Sequence, residues 1–173
     1  ALNRHGSLMP DCPNDVREFW KMWITRGWFD WENEGYPFWS NMRHVQTWWN
    51  FRHLPNILFV HFNDLKVEPE VQIRRIAQYL DIPLEDGDLP AVVYDTSFDV
   101  MRSEAIAREE KDRGPKGLSQ IFRGGARTFF HRGSNGRWRG VLTSSDLELY
   151  NEAARRELSL DCRAWLEGTS PPT

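Results

Sequence analysis

The chain has 173 residues, 40% of them apolar, with nine Trp, ten Phe and a formal net charge of −3. This amounts to one domain or a large piece of one, aromatic enough to pack a core and unlike a disordered chain. No stretch nears 18 consecutive apolar residues, the first residues show no secretory pattern, and the mild acidity excludes a general nucleic-acid binder.

Asn14 or Asp15 can cap a first helix with an apolar stripe of Val16, Phe19, Trp20, Trp23 and Ile24, stopped by Gly27. Gly35, Tyr36 and Pro37 are expected to open a second helix carrying Phe38, Met42, Val45 and Trp49, ending near Leu54 and Pro55. Seven of the nine Trp lie between Trp20 and Trp49, a density that suits core packing, with some rings free to line a pocket for a flat molecule. Residues 56–62 form a continuous apolar, partly β-branched run, too short for a helix and suited to a strand buried on both faces in a parallel sheet. Pro69 then starts a helix with Ile73, Ile76, Ala77 and Leu80 on one face, ended by Asp81, Ile82 and Pro83. Strand followed by amphipathic helix is half of a βαβ unit, and a parallel strand requires neighbours. A short helix is expected over 90–94 and an exposed charged one over 103–113. Thr143 to Asp146 read as a helix cap with an acidic first turn, followed by Leu147, Tyr150, Ala154 and Leu158 on the buried face. Residues 168–173 are expected to be a disordered tail. Cys12 and Cys162 lack metal-ligand spacing and allow either one disulfide or, as expected for a cytoplasmic protein, two reduced thiols.

Residues 113–139 hold seven of the twenty-two Lys and Arg, six of the twelve Gly and none of the twenty-five acids. Guanidinium forks and glycine-exposed backbone N–H groups suit phosphate or sulfate, so this segment points to an anionic ligand; a solvated basic loop has the same composition.

The order of several motifs resembles the cytosolic sulfotransferase family. They are His44, Val45, Trp48 and Trp49; then Asn63, Asp64, Leu65 and Lys66; then Ala77 to Leu80; then Thr96, Ser97, Phe98 and Met101; and last the Arg-Gly block before Trp138. The match runs from about Tyr36 to Glu148. It implies an α/β, P-loop-like fold with a central parallel sheet, and transfer of a sulfonyl group from 3′-phosphoadenosine 5′-phosphosulfate (PAPS) to a hydroxyl or amine of a small-molecule acceptor. It also implies roles. His131, Arg132 and Gly133 would grip the 3′-phosphate of the nucleotide, Thr96, Ser97, Phe98 and Met101 would hold adenine, and Phe62 would sit at the nucleotide site. His44 and Tyr36 would border the acceptor pocket. Arg139, Thr143, Ser144 and Glu148 resemble a dimer motif of the family, and no metal or membrane is implied.

The departures are specific. His131 replaces the usual Arg, Arg132 the usual Lys and Phe62 the usual Tyr, so one permanent charge becomes titratable and one phenol is lost. In the dimer motif, Arg139 stands for Lys and Ser144 for Val. No strand, Lys-containing phosphate loop and helix precede residue 60, and neither a base following such a loop nor the Arg…Ser pair of the 3′-phosphate site is present; His5 falls at the wrong point. The chain therefore reads as the C-terminal portion of one sulfotransferase domain, mostly helical with one clear strand, holding part of the nucleotide site and no catalytic residue. Within the basic segment, residues 113–127 read as a flexible gate over the pocket. Two other classes compete: a helical module that holds an acidic protein on its Trp-rich face and basic loop, and a kinase-like phosphoryl transferase, disfavoured by the missing phosphate loop and metal-binding Asp.

Overall fold

A computed structural model of the chain describes residues 13–111 and 122–168. The described residues form nine helices: α1 Val16–Thr25, α2 Asn41–Trp49, α3 Phe62–Val67, α4 Pro69–Tyr79, α5 Leu89–Asp95, α6 Phe98–Lys111, α7 Gly125–Phe129, α8 Ser144–Glu157 and α9 Leu160–Leu166. They divide into two compact units: α3 to α7, within 62–135, and α1, α2, α8 and α9, within 8–61 and 136–173. Cys12 and the 168–173 tail, apart from Gly168, lie outside the described residues, as do 112–121 of the expected gate.

The core of the discontinuous unit is Ile24, Met42, Trp49, Ala153, Ala154, Leu158, Cys162 and Trp165. Ala153 and Ala154 present small side chains on α8, the helix that packs on both α1 and α2. Trp49 is the largest fully buried side chain, and its indole N–H donates to Asp161 at 2.8 Å, so its one polar atom is satisfied. Phe59 and Trp165 meet its ring at 5.4 and 5.2 Å. The α1 stripe is present with Ile24 buried, although Val16 at the helix start is 62% exposed. Asp15 caps α1 by accepting from the N–H groups of Arg17 and Glu18. Thr143 and Asp146 form a capping box on α8, as their spacing predicts. Asp146 is fully buried and also meets the Arg17 guanidinium at 2.7 Å, tying α1 to the start of α8.

The second helix begins later than its sequence suggests. Its N-cap is Ser40, and Phe38 lies outside it. Two buried carboxylates account for the delay. Glu32 accepts from the N–H groups of Trp28, Phe29 and Ser40, while Glu34 accepts from the Ser40 hydroxyl and the N–H groups of Asn41 and Met42. These donors belong to a turn and a helix start, so the chain between α1 and α2 folds around acids instead of winding into a helix.

The expected strand at 56–62 is not formed among the described residues. Residues 57–61 are neither helix nor strand, and Phe62 is the first residue of α3. A parallel strand exists only through a ladder with a neighbour, and no described segment supplies one. The apolar character of the run is still used: residues 57–60 are half-buried.

In the contiguous unit, α4 starts with Pro69 at its first turn and ends at Tyr79 with Leu80 as its C-cap, followed by Asp81 in the left-handed region (φ 54°). The helix over 90–94 is present one residue longer at each end. The charged helix starts at Phe98, five residues earlier than expected, which puts Phe98 and Met101 on its first turn. α3, α7 and α9 were not anticipated. α7 lies inside the basic, glycine-rich stretch, so the described end of the expected gate is a helix packed on α6.

Candidate functional site

The nucleotide-type residues gather where α6 begins and the chain leaves α7. Thr96 donates its hydroxyl to the Val92 carbonyl at 2.7 Å, which leaves its oxygen lone pairs to accept from an amino group. The hydroxyl of Ser97 accepts from the Val100 N–H at 3.5 Å. Phe98 is half-buried, its ring edge-on to Phe130 with centroids 5.9 Å apart. Met101, three residues on in the first turn of α6, is 42% exposed. An opening of about 620 Å³ lies beside Ser97, lined also by Tyr94, Asp95, Asp99 and Glu104. Its three carboxylates disfavour a phosphate there and suit the neutral, hydroxyl- and amine-bearing parts of a ligand.

The basic block stands against the same Phe98 ring. Gly133 has φ +56°, and a Cβ on it would lie 2.8 Å from Phe98 Cδ2. Both the backbone sign and the ring therefore require glycine. His131 and Arg132 immediately before it are exposed. The carbonyls on either side of this pair are held: Arg102 Nε donates to Phe130 O at 3.1 Å, and Lys66 Nζ donates to Gly133 O at 2.6 Å. Phe62 takes part through Lys66, whose ammonium lies 5.7 Å from the Phe62 ring centroid. Asn135 and Asn63 share a side-chain hydrogen bond beyond it. At the other end of the loop, Glu109 on α6 accepts from the Ala126 N–H at 2.8 Å and so caps α7. Thus Phe62, Phe98 and Gly133 are brought together directly or through one residue, while Thr96, Ser97 and Met101 join them through α6. Lys66, Arg102 and Glu109 were missed as site residues. Lys66 stood inside a motif already noted, but nothing in its spacing says that its ammonium serves a carbonyl 67 residues away.

The acceptor-type residues belong to the other unit and do not share a location within it. His44 lines an apolar recess of about 420 Å³ with Val45, Trp48, Ile57, Phe59 and Trp165. Its ring meets Trp48 edge-on at 6.4 Å. Tyr36 does not line that recess; it stacks on Trp28 at 6.0 Å and carries the Arg26 guanidinium 4.7 Å above its ring. In the dimer-type motif, Thr143 and Ser144 serve the start of α8, Arg139 lies over Trp138 at 5.3 Å and Glu148 is exposed. No cluster of His, Cys, Asp and Glu able to hold a metal occurs among the described residues, and none of their helices is long and apolar enough to cross a membrane.

Comparison with known proteins identifies the family. The sulfotransferase domain family matches residues 11–161. Sulfotransferase 1B1 of Canis lupus familiaris is 26% identical over 140 residues, covering 81% of this chain and 44% of its own length. Sulfotransferase 1C2 of Homo sapiens is 24% identical over 174 residues, covering 98% of this chain and 50% of its own length. The crystal structure of a mouse sulfotransferase complexed with PAP superimposes with a TM-score of 0.70 at 18% identity, over 91% of this chain and 53% of that one. The chain thus has the fold of the matching part of that structure, and it spans about half the length of the curated relatives it matches. With the match extending over most of its residues, the chain belongs to the sulfotransferase domain family.

Proposed function

We propose that the protein carrying this chain transfers a sulfonyl group from PAPS to a hydroxyl or amine of a small-molecule acceptor. The chain supplies the adenine and 3′-phosphate side of the donor site. The observation that carries this reading is Gly133: a left-handed glycine against the Phe98 ring joins the adenine-type segment to the exposed His131 and Arg132. Arg132 offers a guanidinium fork and the loop offers backbone N–H donors, the chemistry a dianionic phosphate takes. Thr96 and Ser97 offer hydroxyl oxygens to the amino edge of adenine, and Phe98 an apolar ring.

In the reaction, the acceptor oxygen or nitrogen forms a bond to sulfur as the bond from sulfur to the 5′-phosphate oxygen breaks. The acceptor proton passes to a base, and the bisphosphate nucleotide leaves carrying the bridging charge. The residues of this chain bind and orient; the base, the loop for the 5′-phosphosulfate and the central parallel sheet belong to the remainder of the same domain. The recess beside His44 and Trp48 is the acceptor side, suited to an apolar or flat molecule.

Isothermal titration of the whole natural protein tests this. 3′,5′-Bisphosphoadenosine (PAP) should bind more tightly than AMP, which lacks only the 3′-phosphate, and Arg132→Ala should cost about tenfold or more in PAP affinity. Equal affinity for the two nucleotides would overturn the reading.

A further inference from the structure

We infer that Lys66 and Arg102 are positioning residues for the 3′-phosphate grip, holding the backbone on both sides of His131 and Arg132 without touching the nucleotide. The inference rests on the donor-site reading above and extends it to two residues outside the phosphate-binding block.

A dipeptide with exposed side chains on a glycine-containing loop is poorly placed to hold a dianion, because its backbone must be ordered each time a ligand binds. Here the order is supplied in advance. The last carbonyl before the pair, on Phe130, accepts from Arg102 at 3.1 Å, and the first carbonyl after the pair, on Gly133, accepts from Lys66 at 2.6 Å. One anchor comes from α6, the helix that begins with Phe98, and the other from α3. Both donors are charged, so each bond is stronger than a neutral one. The His131 N–H is also engaged, donating to the Phe129 carbonyl at 3.0 Å, so the anchored backbone serves chiefly to present the Arg132 guanidinium.

The rest of the loop is fixed around these two points. Gly133 rests on the Phe98 ring, Phe130 meets that ring edge-on at 5.9 Å, and the Phe129 ring meets the Phe130 ring edge-on at 5.0 Å. The Ala126 N–H is held by Glu109. Lys66 is itself held over the Phe62 ring. In this arrangement Phe62 does not need the phenol that the family usually carries there, because its ring serves the lysine.

The test is a titration series on the whole natural protein with PAP and AMP. Lys66→Met and Arg102→Met keep the apolar stems and remove the donors. Each should lower PAP affinity about tenfold while changing AMP affinity less than about twofold, since AMP lacks the group that the loop grips. Lys66→Arg, which keeps a donor of the same charge, should recover most of the loss. In an Arg132→Ala background, either Met variant should have little further effect, because an anchor acting through Arg132 has nothing left to position. Parallel loss of PAP and AMP affinity would show that the two residues only maintain the fold. Unchanged PAP affinity, or full additivity with Arg132→Ala, would equally overturn the inference. Indifference of the unaltered protein to PAP and AMP would instead defeat the donor-site reading, and the inference with it.

Discussion

At the scale of single residues, Gly133 carries the most information about the candidate site. Its importance is hidden in the sequence, where it is one of six glycines in a basic stretch. The resemblance singled it out, but the physical need for glycine became visible only with the Phe98 ring at 2.8 Å from the place of a Cβ. Gly133→Ala combines an unfavourable left-handed backbone with a clash against a ring that is itself packed on Phe130, and should cost about 2–3 kcal/mol in urea unfolding along with most PAP binding. Phe98→Leu in the same chain should restore part of the stability. His131 and Arg132 were legible as members of a basic block but not as exposed side chains between two held carbonyls. Cys162 gives a second prediction. Burial, followed by the nearby Asp161 charge, pushes its thiol up to about 11, and the side chain is fully enclosed. It should therefore resist thiol reagents at pH 8 in the folded protein and react at once in denaturant.

At the scale of elements, the caps were the readable features, because a cap is a local hydrogen bond between residues two or three apart. Asp15 and the Thr143–Asp146 box act where their spacing places them, and Pro69, which makes no cap hydrogen bond, still opens α4 at its first turn. The start of α2 was misplaced because the residues that decide it, Glu32 and Glu34, look from sequence like ordinary surface acids. Burying Glu34 satisfies three groups at once, the Ser40 hydroxyl and two N–H groups of the first helical turn. Glu34→Ala would strand these donors away from water. It should destabilise the protein by about 3 kcal/mol, and Glu34→Gln by less, in urea or thermal unfolding. α7 escaped notice because Gly124 and Gly125 suppress any helical reading of the segment. Its formation depends on Glu109, 17 residues earlier, which supplies the cap. The segment at 57–61 shows the opposite failure. Its apolar run is the signature of a central strand, yet a strand is a property of pairs, and composition cannot report whether the partner is at hand.

At the scale of the whole molecule, acid sensitivity follows from two aspartates of the discontinuous unit. The Thr143 backbone N–H, then the Thr143 hydroxyl and the Arg17 guanidinium, hold Asp146 at about 2 against the opposing effect of burial. Asp161 is likewise lowered to about 2, first by the Ser159 hydroxyl and then by the Trp49 indole. Both carboxylates are more acidic folded than unfolded, so the stability they contribute is complete above the ordinary carboxylate value of 3.8 and is lost as pH falls from there through about 2. Tryptophan fluorescence followed from pH 5 to pH 2 should show this unit losing its packing in that window. Asp146→Asn, already less stable at neutral pH, should show a shallower decline. The family was legible because motif order survives when individual motifs drift; the division into two units was not, since it depends on contacts more than 100 residues apart, such as Arg17 with Asp146.

That division bears on how the polypeptide folds as it is synthesised. Residues 62–135 are continuous, each of their helices packs on the next in sequence, and the side chains of Asn63 and Asn135 meet near the two ends. All of these contacts are available once about residue 135 has emerged. α1 and α2 must wait, because the helices that cover Trp49 and Ile24 are α8 and α9, the last of the described chain. An inserted segment already closed on itself would shorten the effective loop that the late pairing has to span, lowering its entropic cost. Until then the early tryptophans stand uncovered, and the nascent chain is most exposed to aggregation during synthesis of residues 62–143.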